Sequence, residues 1–266
     1  MVWIILGVLI LLFPIVATLY NDYRLEQVAR GYEDSVHRIE PSHRVEQYLA
    51  EARAYNKALA AQGHHARPPQ SDQPGWQEYL GTLDAPETHQ IMARVSIPSI
   101  AVDLPVYHGT SAEVLYKGAG HMFGSDLPVG GPGTTSVITA HTGMVDAPMF
   151  DNLIRIKQGA TIDVHVMDQR LRYQVVARQV VGPHDAEAIT YEPGKDKLVL
   201  VTCTPYGLNT DRLLVEAIRV PLPPDAVDDA PPWRPVLSWW MILDLLVVLA
   251  VLLVLWRRRR RDQRDA

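Results

Sequence analysis

Two apolar runs stand at opposite ends of this chain, and together they constrain it more than any other feature. Residues 2–20 are 19 positions without a charge, and residues 236–256 are 21 positions with one charge, Asp244. A bilayer core is crossed by about 20 apolar residues in a helix. The 266-residue chain therefore reads as a transmembrane segment or signal anchor over 1–20 and a transmembrane helix over 236–256. Between them lie about 215 residues, enough for one well-packed domain. This pattern excludes a purely soluble cytosolic enzyme and a polytopic transporter. The Val-, Ile- and Leu-rich middle excludes a disordered chain.

Charge sets the orientation. The tail 257–266 holds six Arg and two Asp, a net +4. With the total of −5 and Asp244 on its own span, residues 21–235 carry −8. Arg-rich flanks stay on the cytoplasmic side. The sequence thus places the middle domain outside the cell membrane and the basic tail in the cytoplasm. A cleaved signal peptide is the alternative for the first run, although its basic leader is missing; either way the middle is exported. An acidic exported domain is a poor nucleic-acid binder. Trp233, Trp239, Trp240 and Trp256 fit anchoring at the membrane interface. Asp244 is costly in lipid and invites a functional role.

The middle divides by texture. Residues 21–62 read as N-terminal helices, with a break at Pro41 and Ser42 as N-cap. Beyond it Val45, Tyr48, Leu49, Ala52, Tyr55 and Leu59 repeat at helical spacing, an amphipathic face. Residues 63–90 are a loop, rich in Pro and Gly at its start; the adjacent His64 and His65 point different ways and read as solvated. Residues 91–220 change to short β-branched runs at 91–98, 102–109, 134–141, 161–167, 171–181, 197–203 and 212–220, separated by turn formers. Seven or eight such strands make a closed barrel or a sandwich. Residues 221–235 are an extended linker.

Cys203 is the sole cysteine, so the chain has no internal disulfide and no Cys-based zinc site. It ends the run KLVLVTC, and Arg212 begins the run RLLVEAIRV. Pro205, Gly207 and Asn209 lie between them, so an antiparallel pairing brings 203 near 212. His141 also ends a run, TTSVITAH. Strand ends are where a rigid scaffold presents reactive groups. A buried, inert thiol is the bland alternative.

At these residues the chain resembles a known family. TCTPYGLNTDRLLV (202–215), ITAHTGMVDAPMFDNL (138–153), IPSIAVDLPVYHGT (97–110) and GAGHMFGSDLPVGG (118–131) are similar to segments of the sortases, and most similar to the class C, pilus-assembling sortases of Gram-positive bacteria. The likeness covers roughly residues 90–220. It implies a mainly β fold: a closed eight-stranded barrel preceded by the N-terminal helices, with a transmembrane helix at each end. It places the nucleophile on Cys203, the catalytic histidine on His141 and the arginine on Arg212. Three departures stand out. Val199 replaces a usual Thr, Thr142 follows the histidine where class C members often have Arg, and the lid motif before the barrel is stretched to Asp72-Gln73-Pro74-Gly75-Trp76. Asp72 and Trp76 are the lid candidates, reaching Arg212 and covering Cys203.

The implied reaction is transpeptidation at an LPXTG-like sorting signal of pilins or surface proteins, with a pilin Lys as the acceptor amine. A thiol is only a few per cent thiolate at neutral pH and gains from activation. Cys203 attacks the Thr carbonyl, His141 moves protons and Arg212 donates to the carbonyl oxygen. Thr202, Thr204 and Tyr206 are expected to support the substrate or its oxyanion. No cofactor and no metal are required. A housekeeping sortase joining proteins to cell-wall peptide is the near alternative. An L,D-transpeptidase would need Arg where Pro205 stands. A membrane-tethered adhesion or scaffold domain is the non-enzymatic alternative.

Overall fold

The computed structural model describes residues 2–66, 73–144, 147–183, 185–223, 233–235 and 237–262. Helix α1 runs Val2–His37 and α2 runs His43–Gln62. Short helices α3 (Trp76–Gly81) and α4 (Ala112–Lys117) follow, and α5 spans Trp239–Asp262. The strands are β1 (Ile91–Ile97), β2 (Val102–His108), β3 (Ala119–His121), β4 (Thr135–Thr139), β5 (Thr161–Val166), β6 (Gln169–Val181), β7 (Lys197–Thr204) and β8 (Asp211–Arg219). They close into one barrel in the order β1-β2-β3-β4-β7-β8-β6-β5.

The expected barrel is present. Its third strand escaped the sequence pattern because three residues, Ala-Gly-His, carry no period. Both α1 and α5 are long and apolar enough to cross a membrane. The backbone does not break where the first apolar run ends: α1 continues as one helix through residue 37. Helix α5 likewise continues past Trp256 to Asp262. Ser42 is not a capping residue. It lies in helical geometry and its side chain makes no cap bond.

Alternation splits β7 between two apolar clusters. Leu198 and Leu200 join the main core with Ile138, Val164, Leu213 and Val215. Val199 and Val201 face the other way, onto Val137, Leu214, Met122 and Ala66. Period-two side-chain geometry fixes this division, and it decides where the reactive residues point.

Helix α1 is fastened to the barrel by ions as well as apolar contact. Arg94 on β1 is 1% exposed. It holds Asp103 of β2 by two bonds of 2.7 Å and Glu33 of α1 at 2.6 Å. His165 Nδ1 of β5 lies 2.9 Å from the same Glu33. One residue earlier on α1, the Tyr32 hydroxyl donates to Met92 O at 3.0 Å and accepts from Met167 N–H at 2.8 Å.

Candidate active site

Strand register brings the three reactive residues together. Strands β7 and β8 are antiparallel, and Cys203 pairs directly with Arg212. Directly opposed residues hold their Cβ atoms about 4.5–5.5 Å apart on the same face. Strands β4 and β7 run parallel, with Thr139 paired to Val201. The Ala140 N–H continues that ladder to Val201 O at 3.2 Å. His141 is therefore level with Cys203 on the neighbouring strand. Parity agrees for all three. Val137, Val199, Val201 and Leu214 form the outer cluster, and His141, Cys203 and Arg212 follow them at even spacing. Thiol, imidazole and guanidinium share the outer face at one rim.

Cys203 and Arg212 are partly exposed. Cys203 is a free thiol. Desolvation holds the His141 pKa below the usual imidazole value. The Arg212 guanidinium is held by backbone oxygens, Asn209 O at 3.3 Å and Asp211 O at 3.0 Å. These carbonyls aim it without neutralising it.

The supporting residues behave differently from expectation. Thr202 is 3% exposed and its hydroxyl donates to Ala140 O at 2.8 Å. Parity turns it inward, so it welds the ends of β4 and β7 together and is not free to bind an oxyanion. Thr204 is buried by the same parity. Tyr206 is exposed in the β7–β8 loop. Burial raises its pKa, with Asp151 adding to the effect, while a hydrogen bond from the Trp240 indole opposes it. Asp72 lies outside the described residues. Trp76 packs at 5.3 Å on Tyr79 and edge-on to Phe123 at 5.2 Å. Its ring also fills the space beside Gly109. Gly109 follows His108, which pairs with His121, and that level lies several residues along the barrel from Cys203. Trp76 belongs to this aromatic cluster and does not cover the thiol.

Two features were missed from sequence. Asp151 closes the histidine loop: its Oδ1 accepts the Gly143 N–H at 2.7 Å, beside the Phe150 N–H bond to His141 O at 3.0 Å. Burial pushes its pKa up to about 7, against the lowering effect of that N–H. The signal was the Asp eight residues after Gly143, invisible without the loop's closure. The second is the start of the loop after α2. His64 is not solvated. Its Nε2 lies 2.9 Å from the buried Asp126, and its ring stacks on Tyr191 at 3.7 Å. His65 meets Phe123 edge-on. Gly63, at φ 94°, turns the chain inward there. Ala66 then sits on the outer cluster that leads to Cys203.

Known proteins share the barrel fold. The Sortase domain model matches residues 95–220. Sortase C-1 from Actinomyces oris is 44% identical, with a TM-score of 0.63, covering 67% of this chain and 99% of that one. Sortase C of Streptococcus pneumoniae is 37% identical, with a TM-score of 0.63 over 74% of this chain and 97% of that one. Sortase D of Bacillus subtilis (strain 168) is 30% identical over 122 residues, 46% of this chain. The chain spans 59% of that relative's length. The chain belongs to the sortase family. Its structural neighbours place it with the class C, pilus-related members.

Proposed function

We propose that the chain is a membrane-anchored cysteine transpeptidase acting on LPXTG-like sorting signals, and that it polymerises pilins. The observation that carries this reading is the Cys203–Arg212 cross-strand pair with His141 level beside it. The Cys203 sulfur attacks the Thr carbonyl carbon and its proton passes to His141. Arg212 donates to the oxygen that gains charge. As the tetrahedral species collapses, the Thr–Gly C–N bond breaks and His141 returns the proton to the departing amine. The thioester then meets a Lys amine of the next pilin. The amine nitrogen adds to the thioester carbon and gives a proton to His141; the new amide forms as the C–S bond breaks, and His141 passes that proton to the departing sulfur, restoring the thiol.

The lowered His141 pKa supports a neutral imidazole ready to accept the first proton. We also assign Asp72, which lies outside the described residues, a part in a lid; a lid mutant of sortase A from Corynebacterium diphtheriae is among the structural neighbours. We assign α1 and α5 to the bilayer, with the barrel outside and the basic tail in the cytoplasm.

Intact mass of the chain after incubation with a sorting-signal peptide tests the reaction. An adduct equal to the acyl fragment, absent in Cys203→Ala, is expected; an unmodified chain overturns the reading. A pilin Lys donor and a cell-wall peptide amine, offered together, separate pilin polymerisation from cell-wall attachment by the product formed.

A further inference from the structure

The rim that carries Cys203 is also the end of the barrel from which both apolar helices leave. Residues 22 and 26 of α1 line a cavity of about 320 Å³ together with the β1–β2 turn, Pro98 to Ala101. Ten residues beyond Asp22, Tyr32 bonds Met92 and Met167. Helix α1 thus climbs β1 away from that turn. The turn is on the Cys203 side, since β2 starts where β4 ends, by the registers of β2 with β3 and of β3 with β4. Asn152 Nδ2, at the end of the histidine loop, donates to Ile100 O at 3.3 Å.

The C-terminal helix leaves from the same place. Trp240, in the first turn of α5, hydrogen-bonds Tyr206 of the β7–β8 loop. The linker residue Trp233 donates its indole N–H to Asp22 at 2.9 Å.

Exposed apolar surface is confined to the same end. Among the described residues of the barrel and its loops, the large apolar side chains more than a third exposed are Tyr116, Ile154, Val180, Tyr206 and Leu208. Leu208 reaches 73%. Tyr206 and Leu208 lie in the Cys203–Arg212 loop, and Val180 pairs with Leu213 beside Arg212. Ile154 follows the histidine loop. Tyr116 precedes Gly118, which lies against Pro105, the β2 residue level with His141 by the same registers. Arg155 and Lys157 stand exposed next to Ile154. Water-facing apolar side chains gathered on one side, with cations at hand, are what a surface lying in the headgroup zone needs.

We propose that this rim is a membrane-docking surface: Ile154 and Leu208 enter the interfacial zone of the bilayer, and Arg155 and Lys157 meet lipid phosphates. The proposal rests on α1 and α5 spanning that bilayer. Cys203 then works at the lipid surface, where an acyl donor held in the same membrane arrives.

The test uses the full chain in vesicles of mixed anionic and zwitterionic phospholipid. In a Cys203→Ala background, a fluorophore is placed at Leu208→Cys or, as a control on the opposite end of the barrel, at Lys195→Cys. A nitroxide carried on the lipid headgroup quenches by proximity. The position-208 probe should be quenched at least about threefold more than the position-195 probe, and a Val180→Cys probe should follow position 208. The Val180 site keeps the comparison available if the loop variant folds poorly. Equal quenching at both ends, with the chain retained after carbonate washing, overturns the docking surface alone. Release by carbonate with no probe quenched overturns the spanning helices, and the docking surface with them.

Discussion

Arg94 and Arg212 occupy the same barrel under opposite conditions. Arg94 is 1% exposed and its donors end on the carboxylates of Asp103 and Glu33. Arg212 stands half-buried at the rim and meets the carbonyls of Asn209 and Asp211. A guanidinium whose charge is matched by carboxylates is a fastener. One that, among the described residues, meets carbonyls only is an instrument. The same division runs along β7: the Thr202 hydroxyl is committed to Ala140 O, whereas Cys203, its neighbour, faces out. Parity along β7 decides which residue builds and which reacts.

Four measurements press on this contrast. Cys203→Ala should abolish acyl-adduct formation altogether while costing at most about 1–2 kcal/mol of stability; adduct mass on the variant would assign the nucleophile elsewhere. Arg94→Met should strip Asp103 and Glu33 of their main partner, leaving Arg30 at 3.5 Å from Asp103 and His165 at 2.9 Å from Glu33, and should cost about 1–3 kcal/mol. That lowers Tm by about 2–12 °C, read by calorimetry, with the rate per folded molecule unchanged. A lost rate at full stability would erase the distinction between the two arginines. Arg212→Lys should do the reverse. An ammonium cannot hold two oxygens in a fixed fork, so turnover of a sorting-signal peptide should fall about 100–1,000-fold, with Tm unmoved.

The smallest effect concerns Asp151. Its folded pKa of about 7 lies above the unfolded value, so the folded chain binds the extra proton and loses stability as pH rises from about 4 through 7. Asp151→Asn keeps an acceptor for the Gly143 N–H and removes that loss. Its Tm should match the parent at pH 4 and exceed it by a few degrees at pH 8, about 2–4 °C for each kcal/mol recovered. Asp151→Ala, which loses the acceptor, should slow turnover more than the Asn variant. A constant Tm difference across this pH range would mean that Asp151 does not titrate there.

Much of this molecule is legible in its sequence. The long strands β6, β7 and β8 announce themselves by alternation and β-branching, and the turn formers between Cys203 and Arg212 fix their pairing. The face on which they point follows from the same period. Short β3 was not readable, since three residues carry no pattern. Tertiary pairings were equally hidden. His64 looked solvated because its partners, Asp126 and Tyr191, are far along the chain. Trp76 looked like a lid because motif spacing is local, whereas its place is set by Tyr79, Phe123 and the open Cα of Gly109.

The unbroken helix α1 has a mechanical consequence. Residues 21–37 rise about 25 Å beyond the apolar run without a hinge, and Glu33 ties that rod to Arg94. A flexible tether would absorb a pull by uncoiling. On the proposed reading, a tug on an acyl chain held by Cys203 would load the barrel, then the ionic knot, then the part of α1 assigned to the bilayer. The enzyme would stand as a post in the membrane, and the force of a polymer it extends would be borne at Arg94 before it reached the bilayer.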